Sequence, residues 1–432
     1  MEKRIAAFCL LLSLPALAQV EMQQSYSYTP PHFYFDALNF RADQNKSRMD
    51  FYFQIPYGEI QFTKRGNEFE GSYELSLQLI DDDGNPALEQ TWDERLICQD
   101  FDETTGRSIF SSSEKQFVVQ PGSYTVQVAV TDSETKKSFT EKHAFVARDY
   151  SSLSTSISDI MLLKRSSFSD GRETIVPNID GNVISQSDSF PIFYEVYFPT
   201  AKDSAFATTE IFDSKRNIIY SNSKWITGTD KTKRIITEIP KDSIPMGLYK
   251  LSVSLRESAD KDAPAAADAS RIFSIHFPNL PVTILNLDDA ADEMMYVANF
   301  STIDSIKSAP NMFTKQERFL SFWQKYSTNR GSKENRVMDE YFNRVAYANE
   351  HFTHYFKGWK TDMGMIYILF GPPNSVDRHP FEVDSKPYEI WNYYQINKQF
   401  VFVDESGFGD YRLVTPLSDV YSPPYGPDFI GK

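Results

Sequence analysis

The chain has 432 residues, with 44 lysines and arginines against 59 aspartates and glutamates, so its formal net charge at pH 7 is -15. This length accommodates two or three domains, each with its own core. An acidic chain repels phosphate backbones, which argues against a nucleic-acid partner and against binding to an anionic membrane surface.

The N-terminal residues have the pattern of a secretory signal peptide. A basic start (MEKR) precedes an apolar run from Ile5 to Leu14, and ALA at 16–18 gives the small-x-small pattern of a cleavage site. The run is too short to span a bilayer, and no later segment is apolar for about 20 residues. We therefore expect residues 1–18 to be removed near Ala18-Gln19, leaving an exported protein, periplasmic or secreted, without an integral membrane segment.

The next part of the chain has the alternation of half-buried strands. FYFQIPY (51–57), YELSLQLI (73–80) and YTVQVAV (124–130) carry β-branched and aromatic residues in alternation. Short strands separated by turn residues predict an antiparallel β-sandwich of roughly seven strands over residues 26–150. The Ser-rich segment SSLSTSIS (151–158) after it is predicted to be a linker.

The same design recurs further along the chain. PGSYTVQVAV (121–130) is echoed by MGLYKLSVSL (246–255), with Gly122 and Gly247 in equivalent places and a tyrosine two positions after each. In both copies a glycine opens a strand whose apolar residues point to one face. We therefore predict a second antiparallel β-sandwich in tandem with the first, at residues 157–280.

After Leu285 the apolar period changes from two to about 3.6 residues, which predicts helices. The first has Leu287, Ala291 and Met294 on one face. Thr314-Lys-Gln-Glu317 has the form of a capping box that opens the second. A longer third helix is predicted from Val337 to about Phe356.

The stretch GWKTDMGMIYILFGPP (358–373) follows this helix. Gly358 is predicted to end the helix at positive φ, as a glycine C-cap. Trp359 is predicted to fold back as an apolar plug. Asp362 is predicted to accept the amide hydrogen near Gly364 and so to fix a turn.

The apolar run Met365–Phe370 is unbroken, which favours a central strand covered on both faces, ended by Gly371-Pro372-Pro373. Further strands are predicted at YEIWNYY (388–394), QFVFVDE (399–405) and near YRLV (411–414). Residues 285–415 are therefore predicted to form an α+β domain, with helices followed by an antiparallel sheet. Residues 416–432 are predicted to be a C-terminal tail.

These residues resemble the GWxTD-domain family, which is named for the pattern Gly358-Trp359-x-Thr361-Asp362. The resemblance runs from about residue 285 to 415. It also takes in FW (322–323), RVAYANEHF (344–352), IYILFGPP (366–373), EIW (389–391, with Trp391) and GFGDYRL (407–413). The resemblance implies a bacterial protein, exported in many cases, and implies no activity.

Glu350, His351 and His354 are the nearest approach to a metal-binding cluster. Zinc-binding histidines on a helix are usually four residues apart rather than three, and a third ligand would have to come from elsewhere. An exposed i,i+4 pair of Glu350 with His354 accounts for the pattern, so no metal site is predicted. The sequence also has no glycine loop for phosphates and no dinucleotide fingerprint, so no cofactor is predicted.

Two other polar groups are candidates for function. Asp362 could act with His351 or His354 as a catalytic pair, although turn residues that cap backbone groups are far commoner. Asp377-Arg378-His379 lies in a predicted long loop, and loops on rigid sheets often carry binding sites.

The function predicted from these patterns is that of a non-catalytic exported scaffold or protein-interaction protein of the cell envelope. Its partner would be a protein or another envelope component. One alternative is a hydrolase of envelope polymers that uses Asp362 with one of the two histidines. Another is a carbohydrate-binding protein, since the chain has 34 Phe, 24 Tyr and 5 Trp. That reading predicts a flat row of exposed aromatic side chains on a sandwich face.

Overall fold

The computed structural model describes residues 32–42, 46–106, 109–151, 154–169, 172–184, 188–200, 203–228, 230–241, 244–260, 263–277, 279–327, 335–380 and 386–420. The predicted signal peptide and the part of the predicted tail (416–432) beyond Val420 lie outside these residues. Leu417–Val420 of that tail instead forms a short helix with Val420 in the core. Within the described part, no helix combines the length and the apolar composition needed to span a bilayer.

The first module is a two-sheet β-sandwich. Its strands are β1 (Tyr34–Arg41), β2 (Ser47–Pro56), β3 (Thr63–Arg65), β4 (Glu68–Asp81), β5 (Pro86–Cys98), β6 (Phe110–Val119), β7 (Gly122–Asp132) and β8 (Ser138–Ala147), with a short helix α1 (Phe101–Thr104). One sheet has the order β1-β2-β6; the other is β3-β4-β7-β8, with β5 also paired to β4. All pairings are antiparallel, and Phe51 and Phe53 of one sheet pack against Leu75 and Val128 of the other.

The second module is also a two-sheet sandwich. Its strands are β9 (Ser156–Ile157), β10 (Met161–Ser169), β11 (Arg172–Pro177), β12 (Asn182–Ile184), β13 (Ser189–Tyr197), β14 (Ser204–Phe212), β15 (Ile218–Thr227), β16 (Thr232–Pro240), β17 (Gly247–Arg256) and β18 (Ala267–His276). The sheet orders are β11-β10-β13-β16, with β9 on β13, and β12-β18-β17-β14-β15. The predicted tandem sandwiches are confirmed, with one departure: β12 pairs with β18 in parallel.

The predicted equivalence of the two glycine-tyrosine pairs is confirmed. Gly122 and Gly247 have φ values of 157° and 158°, which side chains rarely allow. Tyr124 and Tyr249 each donate a hydrogen bond from the hydroxyl to the carbonyl oxygen four residues earlier, at 2.9 and 2.8 Å. The same device therefore fixes the same corner in both sandwiches.

The two sandwiches pack against each other rather than being flexibly joined. A separate buried cluster between them combines Leu38, Phe40 and Tyr52 of the first with Met161, Leu163 and Phe193 of the second. Arg271 of β18 donates to Asp36 of β1 at 2.6 Å.

The predicted linker at 151–158 is wrong in its second half. Ser156–Ile157 forms β9 and pairs with β13, and the Ser158 side chain is fully buried. Its hydroxyl accepts the Glu195 N–H at 2.8 Å. Serine is common in linkers. Here, however, the backbone joins a sheet, and the Ser158 hydroxyl supplies the acceptor for a backbone N–H of the neighbouring strand.

The C-terminal part contains helices and then a small antiparallel sheet, as predicted. The helices are α2 (Leu287–Glu293), α3 (Phe300–Lys307), α4 (Met312–Gln324), α5 (Arg336–His351), α6 (Asp362–Phe370) and α7 (Leu417–Val420). The strands are β19 (Ser375–His379), β20 (Tyr388–Tyr393), β21 (Lys398–Asp404) and β22 (Tyr411–Leu413), paired in that order. Trp323, Tyr341, Ile366, Phe400 and Phe402 share one core between the helices and the sheet.

The prediction of a strand at Met365–Phe370 is wrong, because this run lies inside helix α6. An unbroken apolar run indicates burial, but it does not distinguish a buried helix from a buried strand. Seven of the nine residues of α6 are buried, so the helix is apolar on nearly all sides. Gly371, at φ 77°, ends this helix, and Pro372-Pro373 follows it.

Two predicted helix ends are also corrected. Helix α4 begins at Met312, and the Asn311 side chain accepts the Thr314 N–H at 2.9 Å, so Asn311 and not Thr314 is the N-cap. Helix α5 ends at His351, before the predicted end near Phe356. Gly358 is therefore not its C-cap and instead begins a 3-10 turn, Gly358–Lys360.

Candidate functional site

Gly358 is required by a close approach of two backbones. A Cβ atom added at this position would lie 1.8 Å from the carbonyl oxygen of Ala348 in α5. Gly364 is in a similar position, since its Cβ would lie 2.0 Å from the carbonyl oxygen of Gly358. Glycine at both positions lets the turn pack directly on α5 and α6.

Trp359 is buried, as predicted, in the core shared by the helices and the sheet. Its backbone N–H donates to Oδ1 of Asn349 at 3.1 Å, and its carbonyl oxygen accepts the Tyr296 hydroxyl at 2.7 Å. The indole and its backbone therefore hold the turn against both α5 and the segment after α2.

The contact predicted for Asp362, with the Gly364 N–H, is made by Thr361 instead. Oγ1 of Thr361 accepts the Gly364 N–H at 3.0 Å and donates to the Gly358 carbonyl at 2.7 Å, so Thr361 is the N-cap of α6. Oδ2 of Asp362 accepts the Leu413 N–H at 2.8 Å. Asp362 therefore joins the start of α6 to strand β22 instead of fixing a local turn.

Asn349 also hydrogen-bonds the carboxyl of Glu293, which sequence reasoning missed. Burial raises the pKa of Glu293 from 4.5 to about 7, against an opposing effect of Lys357 and with a smaller contribution from Asp289. The folded protein therefore holds a proton at this site between pH 4.5 and 7 that the unfolded chain releases. The free energy of unfolding should consequently fall as the pH rises through this window.

Glu293→Gln is expected to flatten this pH dependence and to stabilise the protein at pH 8 by about 1–2 kcal/mol, because a neutral amide carries no cost of burying charge. Urea unfolding of the C-terminal domain between pH 4.5 and 8 measures the slope. Glu317→Gln, which removes an exposed carboxyl of α4, is the control. An unchanged slope in Glu293→Gln would contradict the assignment.

A cleft of about 340 Å³ opens between the ends of α5 and α6 and one face of the sheet. Its lining residues come from both layers and from the turn before β22: Tyr347, His351, Phe352, His354, Thr361, Met363, Tyr367, Pro373, Val376, Arg378, Glu389, Trp391, Gly409, Asp410 and Tyr411. The volume lies at the lower end of the range for ligand-binding pockets.

Stacked aromatic rings form the helical wall of the cleft. The ring of Tyr347 is sandwiched between His351, at 3.8 Å between centroids, and Tyr367, at 4.2 Å, with interplanar angles of 11° and 9°. Burial, together with the neighbouring Tyr347, raises the pKa of Tyr367 to about 12, so this phenol stays neutral at physiological pH. Tyr367 therefore contributes an uncharged aromatic surface to this wall.

Charged side chains on the sheet side of the cleft are paired with one another. Arg378 donates to Glu389 at 3.1 Å, and the indole N–H of Trp391 donates to the same carboxylate at 3.1 Å. Asp410 accepts two hydrogen bonds from Arg412, at 2.9 and 3.1 Å. The cleft thus presents polar atoms with little unbalanced charge.

The cleft contains some of the candidate residues and not others. The motif and candidate residues that line it are His351, His354, Thr361, Pro373, Arg378 and Trp391. Asp362, Asp377 and His379 do not line it. Asp377 accepts a hydrogen bond from Asn392 at 3.2 Å, and His379 stacks on Tyr388 at 4.3 Å. Asp377-Arg378-His379 belongs to edge strand β19 and not to a loop as predicted.

Sequence reasoning missed Tyr347, Tyr367, Glu389 and Asp410 as lining residues. Tyr347 and His351 are one helical turn apart, so their proximity could have been predicted from the sequence. Tyr367 could not be placed while its segment was read as a strand. Across the described residues, no three His, Cys, Asp or Glu side chains come together in a group that could hold a metal ion.

Parts of this chain are similar to solved structures of other proteins. No curated relative matches the chain. Solved structures similar to part of it include dimeric latent PorU from Porphyromonas gingivalis, at 12% identity and a TM-score of 0.24, over 56% of this chain and 20% of PorU. Trypsin-activated alpha-2-macroglobulin from Escherichia coli is similar at 12% identity and a TM-score of 0.20, over 57% and 17%. At these TM-scores the similarities carry no argument about function.

The family comparison is specific to the C-terminal part. The GWxTD domain matches residues 261–414. The match begins at 261 rather than at the predicted 285, so it also includes β18, the last strand of the second sandwich. The motif turn, helix α6 and the cleft all lie inside the matched residues. The chain is therefore a GWxTD-domain-containing protein.

Proposed function

We propose that this protein is a non-catalytic, exported interaction protein of the bacterial cell envelope, whose GWxTD domain binds a protein partner through the cleft. The observation that carries the proposal is the composition of the cleft. Tyr, Trp and Arg side chains line the cleft, and these residue types are enriched where proteins recognise partners. Export rests on the signal-peptide pattern of residues 1–18.

The alternative of a hydrolase has less support. It requires Asp362 and one of the two histidines to face one open cleft. His351 and His354 line the cleft, but the Asp362 carboxylate accepts the Leu413 N–H outside the lining. The carboxylate and the two histidines therefore do not face one cleft, as this alternative requires.

Carbohydrate binding by a sandwich face also has less support. That reading needs a flat row of exposed aromatic side chains. Among the described residues of the two sandwiches, the aromatic side chains that are more than half exposed are Phe101 and Trp225, one in each module. Two separate rings do not form a stacking platform.

The two chain segments that meet beside the cleft, at His354 and Gly409, offer positions for a direct test. Tyr355, Phe356 and Phe408, here called the aromatic rim, are 84%, 63% and 83% exposed. A photo-crosslinking amino acid at Tyr355 or Phe408, in the bacterium that encodes the protein, is expected to capture a discrete partner. Phe300 and Phe313, at 82% and 77% exposed on α3 and α4, are matched control positions that do not line the cleft.

Equal capture at the rim and control positions would contradict the proposal. Release of soluble fragments from purified envelope polymer by the protein alone would also contradict it.

N-terminal sequencing of the exported protein is expected to give a sequence that begins near Gln19. A chain that retains residues 1–18 in the cytoplasm would overturn the exported part of the proposal.

A further inference from the structure

We infer that the cleft and the aromatic rim together form a docking site for an extended, net-basic polypeptide segment that inserts one apolar side chain into the cleft. This inference rests on the proposed function and specifies the chemistry of the partner.

The aromatic rim lies next in the sequence to residues that line the cleft. Tyr355 directly follows His354, and Phe408 directly precedes Gly409; His354 and Gly409 both line the cleft. The two segments meet at this point, since a Cβ atom at Gly409 would lie 3.3 Å from the His354 ring. The exposed rings therefore belong to two chain segments that meet beside the cleft.

The exposed rim requires an occupant larger than the cleft itself. A small ligand that fills about 340 Å³ would leave the projecting rim side chains in water. Phe356 and Phe408 have no polar group, so apolar side chains of a partner can cover them without an unpaired polar contact. A polypeptide can cover the rim and fill the cleft at once, which makes it the occupant that the surface favours.

The inner surface of the cleft determines the anchor. Trp391, Met363 and Val376 supply apolar surface, and the stacked rings of Tyr347 and Tyr367 form the opposite wall. The charged groups at the mouth already pair with each other, so a charged side chain inserted here would find no free counter-ion and would lose its hydration. A Phe, Leu or Met side chain suits this space, because a buried apolar anchor in a pocket supplies most of the affinity at such sites.

The charge of the protein determines the flanking residues. The chain has a formal net charge of -15, while the cleft itself is nearly balanced. A partner segment with Lys or Arg on either side of the anchor is therefore attracted at long range without burying its charges. An acidic segment with the same anchor is repelled.

The test is selection from a random 12-residue peptide phage library on the purified full-length mature protein. Enriched peptides are expected to share one large apolar residue flanked by Lys or Arg. Their binding is expected to fall at least tenfold on the double variant Tyr355→Ser/Phe408→Ser and to stay within twofold on Phe300→Ser/Phe313→Ser. All four side chains are highly exposed, so an unchanged Tm in both variants verifies that folding is intact.

The inference is overturned if no peptide is enriched, if the enriched peptides are acidic or lack an apolar anchor, or if both double variants bind equally. Binding to an oligosaccharide array that is lost with the rim variant would overturn it in favour of a glycan. In these cases the proposed function still stands if crosslinks from the rim capture a partner in cells. If rim and control positions crosslink equally, the proposed function itself fails.

Discussion

Gly358→Ala is expected to destabilise the C-terminal domain by about 3 kcal/mol or more. The added methyl group would lie 1.8 Å from the Ala348 carbonyl oxygen, a contact that requires backbone of α5 to move. Moving that backbone would also strain the hydrogen bond from Trp359 to Asn349. The loss is measured by urea unfolding followed through tryptophan fluorescence, with far-UV circular dichroism to show whether the sandwiches remain folded.

Lys360→Ala, an exposed position in the same 3-10 turn, is the control. It loses a cation–π contact with the Trp359 ring at 5.0 Å and is expected to change the free energy of unfolding by less than about 1 kcal/mol. A loss below about 1 kcal/mol in Gly358→Ala would contradict the close approach of the turn to α5. It would mean that the turn relaxes easily and that glycine is present for another reason.

Asp36→Ala is expected to weaken the junction between the two sandwiches by about 2–4 kcal/mol. Asp36 and Arg271 are 17% and 14% exposed, and their side chains are 2.6 Å apart across the junction. Removing the carboxylate leaves a guanidinium in a mostly buried position without its ion-pair partner. Calorimetry is expected to show the unfolding of the two sandwiches separating into two transitions.

The double variant Asp36→Ala/Arg271→Met is expected to recover much of the loss, because it removes the buried charge as well. Lys307→Ala breaks a surface ion pair with Asp292 and is expected to cost less than about 1 kcal/mol. A single transition with an unchanged Tm in Asp36→Ala would show that the apolar cluster alone couples the modules.

The strands could be predicted from the sequence because alternation is a local signal. β2, β4 and β7 contain the segments 51–57, 73–80 and 124–130, apart from Tyr57 at the end of the first. The pairing partners were not predictable in the same way. The Ser-rich segment became part of a sheet because Val196 and Tyr197 of β13 lie beyond the residues that pair with β10, and only the tertiary structure contains that information.

Individual residues of the site could be predicted from the sequence, but their assembly into one cleft could not. His351, His354, Arg378 and Trp391 were identified individually, and the structure places all four at one cleft. The cleft itself depends on α6 being a helix, which sets Tyr367 against Tyr347. An apolar run that is buried on all sides carries no period, so the sequence cannot distinguish the two geometries there.

The hydrogen bond between Asp362 and Leu413 joins residues 51 positions apart. The chain enclosed between them supplies most of the sheet, and Gly409, Asp410 and Tyr411 of its last part line the cleft. During synthesis the motif turn therefore leaves the ribosome well before the cleft can exist. A nascent chain that stops short of β22 would contain the complete motif and yet lack part of the cleft lining.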